Sequence, residues 1–128
     1  MLGYDPWLIP TSDQTIDNGL NKPLMVIKQN QPLGPVSDAR LERMIDNSTA
    51  EKYIIRVADT RHFDFTDFKH LSPKLNWFGL TGTIEAKKVR QIMNSYSLAF
   101  FDYHLRGWQG ALLFADSAEF PEVNFEKP

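Results

Sequence analysis

The chain has 128 residues, the size of one ordinary domain, and its 42% apolar and 23% charged content is that of a folded globular protein rather than a disordered one. Fourteen Lys and Arg against sixteen Asp and Glu leave a net charge of -2, so no excess positive field draws in a phosphate backbone and nucleic acid is not an expected partner. The absence of cysteine excludes disulfide scaffolds, thiolate metal sites and a cysteine nucleophile, and leaves the compartment open.

No apolar run reaches the roughly 18 residues a membrane span needs, and residues 1–10 lack the basic start and apolar stretch of a signal peptide, so no transmembrane segment and no export signal are expected. The first firm element is Leu24-Met25-Val26-Ile27, introduced by Pro23 and closed by the turn-forming stretch Gln29 to Pro35. It is apolar on successive residues, which predicts a parallel strand covered on both faces. Ser37 then stands where a helix cap belongs, ahead of a helix to about Asn47 with Ala39, Leu41, Met44 and Ile45 near one face. Tyr53 to Ala58 is the second strand-like run, and strand, helix, strand within about 35 residues is a βαβ unit.

Asp59 to Lys69 reads as a loop with one helical turn, and Pro73 argues against a helix continuing through Leu71-Ser72-Pro73. From Ile84 to about Leu105, apolar residues recur at steps of three and four (Val89, Ile92, Met93, Tyr96, Phe100, Tyr103), with Thr83 as the expected cap and Gly107 as the stop. Trp108 to Pro128 reads as a short helix or irregular cover with a frayed end. Two recognisable parallel strands are too few for a domain of this length, since such a sheet needs layers on both faces and neighbours at its edges. The sheet is therefore expected to be completed by other polypeptide or by a strand within residues 1–20.

Histidine is the natural candidate for proton transfer near neutrality. His104 lies near a helix C-terminus, where a structural role is expected, and His70 lies in a polar loop. His62 follows a buried strand by four residues, at the carboxyl end of parallel strands where open α/β folds place their reactive groups. Asp59, Asp64 and Asp67 flank it, but their spacing matches no metal motif, and no metal or other cofactor is expected. Phe63, Phe65 and Phe68 suggest that the loop is buried, and Asp64 and Asp67 suit loop anchoring through backbone N–H groups. Trp7, Trp77 and Trp108 read as core or rim packing rather than a sugar platform. None of Ser12, Ser37, Ser48, Ser72, Ser95, Ser97 and Ser117 lies in a Gly-x-Ser-x-Gly turn between a strand and a helix, so no activated nucleophile is found in these residues.

Around His62 a likeness emerges. His62-Phe63-Asp64-Phe65-Thr66-Asp67-Phe68 resembles the catalytic-histidine loop of the plasma and type II platelet-activating-factor acetylhydrolases, and Leu2 to Pro10, with Asp5-Pro6-Trp7-Leu8-Ile9-Pro10, resembles that family's catalytic-aspartate segment. Pro23 to Ile27 is similar to the next strand of the family fold. Leu80 to Ile84, Ser97 to Phe101 and His104-Leu105 resemble its C-terminal helix and approach. The likeness covers about residues 2–106.

The resemblance implies an α/β-hydrolase fold and a triad in the chain order Ser, Asp, His, with Asp5 and His62 as its last two members. It departs from the family at Pro6, where Gly is expected, and in lacking the elbow serine and oxyanion donors. On this resemblance the 128 residues are expected to form a single C-terminal portion of an α/β-hydrolase domain with about two or three parallel strands and an incomplete sheet. The implied activity is hydrolysis of short acyl esters of phospholipid-like substrates. The chain alone is expected to be inactive, and an N-terminal hydrolase portion or self-association to complete the sheet. A non-catalytic hydrolase remnant that binds lipid or protein is the alternative, and an unrelated metal-binding domain is a third reading.

Overall fold

Two adjacent strands, each buried on both faces, organise the molecule. In the computed structural model, which describes residues 1–68 and 77–128, strand β2 (Leu24–Gln29) and strand β3 (Lys52–Val57) pair in parallel with Leu24 opposite Lys52 and Gln29 opposite Val57. Successive strand side chains point to opposite faces. Met25, Ile27, Tyr53, Ile55 and Val57 therefore enter one core, and Leu24, Val26 and Ile54 the other. This explains why Leu24 to Ile27 and Tyr53 to Ile55 are apolar on every residue.

The connecting helix α2 (Pro35–Asn47) covers the second core with Leu41, Met44 and Ile45. It begins two residues before the expected Ser37 cap, because Pro35 occupies its first turn and Asp38 reaches back to accept the Gly34 N–H at 2.9 Å. Ser37 instead lies inside the helix, where its Oγ accepts the Leu8 N–H at 3.2 Å. The long helix α3 (Ala86–Arg106) covers the first core with Val89, Ile92, Tyr96 and Phe100. Glu85, two residues after Thr83, is its cap, and Gly107 ends it in the left-handed region at φ 70°.

Residues 1–20 hold two elements that sequence patterning does not reveal. Strand β1 (Leu2–Tyr4) pairs parallel to β2 with Gly3 opposite Val26, and the six-residue helix α1 (Asp13–Asn18) is capped by Ser12 and anchored by the fully buried Ile16. Both are too short to display a period. The C-terminal segment holds the expected short helical turn, Ala111–Leu113, but not a frayed end, since Val123–Glu126 forms β4, antiparallel to β3 with Val57 opposite Val123. Val123 is buried and Phe125 packs against the first core, while Asn124 is exposed, so four residues carry a strand alternation that a frayed tail would lack. The described sheet has the order β1-β2-β3-β4, with helices on both faces.

Candidate active site

The carboxyl ends of the three parallel strands gather at one end of the sheet. Tyr4 of β1 is in register with Ile27, and β2 runs on for two further residues to Gln29. Asp5 sits just past β1 and is bound to that overhang twice. Its N–H donates to the Ile27 carbonyl at 2.7 Å, and its Oδ1 accepts the Gln29 N–H at 3.3 Å. The backbone of Asp5 has φ 40°, a left-handed conformation that aspartate adopts more readily than most residues. The turn carries the chain off the sheet while the carboxylate stays buried, at 2% exposure.

His62 comes to the same place from β3. Ala58 still bonds to Glu122, Thr60 Oγ1 closes a turn on the Val57 carbonyl at 2.6 Å, and Asp59 turns the chain with φ 57°. A single 3₁₀ turn, His62–Phe65, follows. It places His62 Nδ1 2.8 Å from Asp5 Oδ2, across 57 positions of sequence. Among the described residues, Asp5 is the hydrogen-bond partner of the His62 side chain, and the ring is 37% exposed. With Nδ1 engaged by a carboxylate acceptor, Nε2 is the nitrogen free to take a proton from a substrate-side group.

Two further groups fix this turn, and sequence reading did not single out the second. The buried Asp64 accepts the Arg61 N–H at 2.7 Å and the Gly82 N–H at 2.6 Å, both on Oδ2. Gly82 itself lies against the Asp59–Thr60 backbone. The signal in the sequence was Thr-Gly-Thr just before a helix, where a glycine marks either a turn or a close approach.

The remaining candidates lie elsewhere. His104 is packed among Tyr53, Phe100 and Tyr103, with ring centroids 5.7, 4.7 and 4.8 Å away. Burial pushes its imidazole below the usual range against the pull of Glu51, 3.8 Å away, with Lys127 adding to the downward shift. His70 lies outside the described residues. Of the loop phenylalanines only Phe65 is buried, while Phe68 is exposed and meets Phe63 edge-on at 5.4 Å. Trp7, Trp77 and Trp108 are all more than half exposed, which overturns a core role; Trp108 carries the Arg106 guanidinium over its ring at 3.5 Å. Among the described residues no group of three or more His, Asp or Glu side chains gathers as metal ligands. No described helix is long and apolar enough to cross a membrane.

The family model for platelet-activating factor acetylhydrolase, isoform II, matches residues 1–110. The chain belongs to this family. The platelet-activating factor acetylhydrolase of Gallus gallus is 27% identical over 106 residues, covering 81% of this chain and 25% of that protein. A solved structure, the ferulic acid esterase from Streptomyces cinnamoneus, superposes with a TM-score of 0.78 at 28% identity, over 97% of this chain and 38% of the esterase. The fold of this acetylhydrolase-family chain is thus the α/β fold of an esterase, and the chain spans well under half of each of these relatives.

Proposed function

We propose that this chain supplies the acid–base pair, Asp5 and His62, of a carboxylic-ester hydrolase acting on short acyl esters of phospholipid-like substrates. The observation that carries the reading is the 2.8 Å bond from His62 Nδ1 to a carboxylate that is itself buried and bound to the backbone of β2. In this role His62 Nε2 takes the proton of a serine hydroxyl as the oxygen attacks the ester carbonyl. It then gives that proton to the departing alcohol, and water repeats the sequence to release the acid. Asp5 holds the Nδ1–H tautomer and stabilises the imidazolium formed at each step.

The nucleophile and the oxyanion donors come, in this reading, from polypeptide outside these 128 residues. Two surfaces suit its docking. The outer edge of β1 has no partner strand among the described residues. The Tyr4 hydroxyl bonds Ser97 Oγ at 2.8 Å, which sets α3 beside that edge. Leu98, Phe101 and Leu105, all exposed, follow Ser97 by one, four and eight positions and share its flank of the helix. An apolar stripe beside an open sheet edge is a surface that polypeptide can cover.

The test is nitrophenyl acetate turnover by the chain alone, and by the chain combined with an N-terminal hydrolase portion carrying a Gly-x-Ser-x-Gly elbow. Turnover is expected only in the combination, and H62A should abolish it. A combination that forms a complex without gaining turnover overturns the reading and favours a non-catalytic module.

A further inference from the structure

We infer that Asp64 is a positioning residue for His62, acting as a clamp between the histidine turn and the approach to α3. The inference rests on the acid–base reading above for its functional meaning, and on geometry for its physical content.

His62 is carried by one 3₁₀ turn of four residues, with no long helix or strand to hold it. Such a turn has few bonds of its own, yet the ring must meet a fixed, buried carboxylate at hydrogen-bond distance. Small displacements at a site of this kind have large effects on proton transfer. The turn has to be tied to the rest of the fold, and the Asp64 carboxylate provides the tie. One oxygen, Oδ2, receives the Arg61 N–H at 2.7 Å, which fixes the residue immediately before His62. The same oxygen receives the Gly82 N–H at 2.6 Å, which ties the turn to the segment leading into α3. Asp64 also donates its own N–H to the Arg61 carbonyl at 2.9 Å, closing the turn on itself. Hydrogen bonds to an ionised acceptor are stronger than neutral ones, and Asp64 is only 5% exposed, so water competes weakly.

The other side of the clamp is shaped to match. The Ile84 N–H donates to the Asp59 carbonyl at 3.3 Å, so residue 84 holds the segment that leads out of β3 to His62 while residue 82 holds the turn that carries it. The ring is thereby held from two directions: by Asp5 at Nδ1, and by the backbone frame that Asp64 closes. Asp5 bonds the ring, whereas Asp64 bonds the backbone N–H groups of Arg61 and Gly82, which separates their roles. Loss of Asp5 removes the partner; loss of Asp64 leaves the partner in place and lets the ring drift from it.

The experiment reads the imidazole directly, in the 128-residue chain and without any ester. The His62 Nδ1–H proton is followed by NMR, assigned by its loss in H62Q, and its solvent-exchange rate is measured beside the core amides of Ile55 and Ile92. D64A is expected to accelerate exchange of the Nδ1 proton at least tenfold, or to abolish its signal, with the core amides unchanged. D64N keeps an acceptor oxygen facing Arg61 and Gly82 and is expected to restore most of the protection. If D64A does not fold, D64S takes its place, because its hydroxyl is too short to reach both donors. A folded D64A or D64S with the signal and exchange rate of the parent overturns the inference. In the assembled hydrolase, D64A should lower kcat at least tenfold with little change in KM. Absence of ester turnover in the unsubstituted assembly removes the acid–base reading and leaves the NMR result to decide the clamp.

Discussion

Gly82 and Asp59 meet backbone to backbone: a Cβ added to Gly82 would lie 1.9 Å from the Asp59 carbonyl oxygen and 2.8 Å from the Thr60 Cα. Neither neighbour is a flexible side-chain end, so one segment or the other has to move. G82A is expected to destabilise the fold by about 2–3 kcal/mol, at the upper end of ordinary overpacking because the hydrogen bond to Asp64 is strained as well. The urea midpoint of G82A against the parent measures this, and an unchanged midpoint would show that the contact relaxes freely.

Replacing Asp5 by Asn keeps the shape of a buried side chain while removing its charge. In the assembled hydrolase, D5N is expected to lower kcat by about 10⁴-fold, because an amide neither selects the required tautomer nor stabilises an imidazolium. KM should change little. A loss smaller than about tenfold in stopped-flow or steady-state assays would show that Asp5 is not the group that orients and supports the imidazole.

Lys28 and Asp38 form a partly buried pair at 3.0 Å, with side chains 9% and 18% exposed. Burial on its own would raise the Asp38 carboxyl, but the Gly34 N–H and the Lys28 ammonium outweigh it and hold the group below the usual carboxylate range. The folded value lies below the unfolded one, so this stabilisation is present above about pH 4 and is lost as pH falls through the folded value. D38A leaves the ammonium without its partner and the Gly34 N–H without its acceptor and is expected to cost about 2 kcal/mol, whereas K28M leaves the carboxylate bonded to Gly34 and is expected to cost about 1 kcal/mol at pH 7. Denaturation of the two variants at pH 7 and pH 3 gives the comparison. Equal losses in D38A and K28M would contradict it.

His104 titrates in a different window. Burial holds its imidazole below the ordinary value of about 6.5, so the unfolded chain binds the proton first as pH falls. Stability contributed by the neutral ring is complete above about pH 6.5 and declines below it until the folded value is passed. H104F removes the titration and fills the same aromatic setting beside Tyr53, Phe100 and Tyr103. Between pH 7 and 5.5, the thermal midpoint of the parent is expected to fall more steeply than that of H104F. Parallel slopes would mean that the ring is protonated within the fold.

The sequence carried β2, α2, β3 and α3 because each buries residues on a regular period, and it carried them to within a few residues at their ends. The helix caps were displaced, by three residues in α2 and two in α3, because Gly34 and Glu85 rather than a hydroxyl side chain precede the two long helices. What was not legible is what depends on distant partners. β1 has three residues and β4 has four, and each is a strand only by virtue of its neighbour in the sheet. At the site, the resemblance singled out Asp5 and His62, and the distance between them is a property of strand register that no local pattern encodes. Gly82 shows the same limit, since its meaning lies in a backbone 22 or more positions away in sequence.

The left-handed backbone of Asp5 sets two demands against each other at one position. At φ 40° an asparagine sits with equal strain, keeps an acceptor for the Gln29 N–H and brings no charge to be buried, so it meets the demands of the fold at least as well. Only an aspartate offers the imidazole a negative partner there. A library screened for heat tolerance alone would therefore drift away from aspartate at this residue, and one screened for ester turnover would hold it, so the two selections would part company first at position 5.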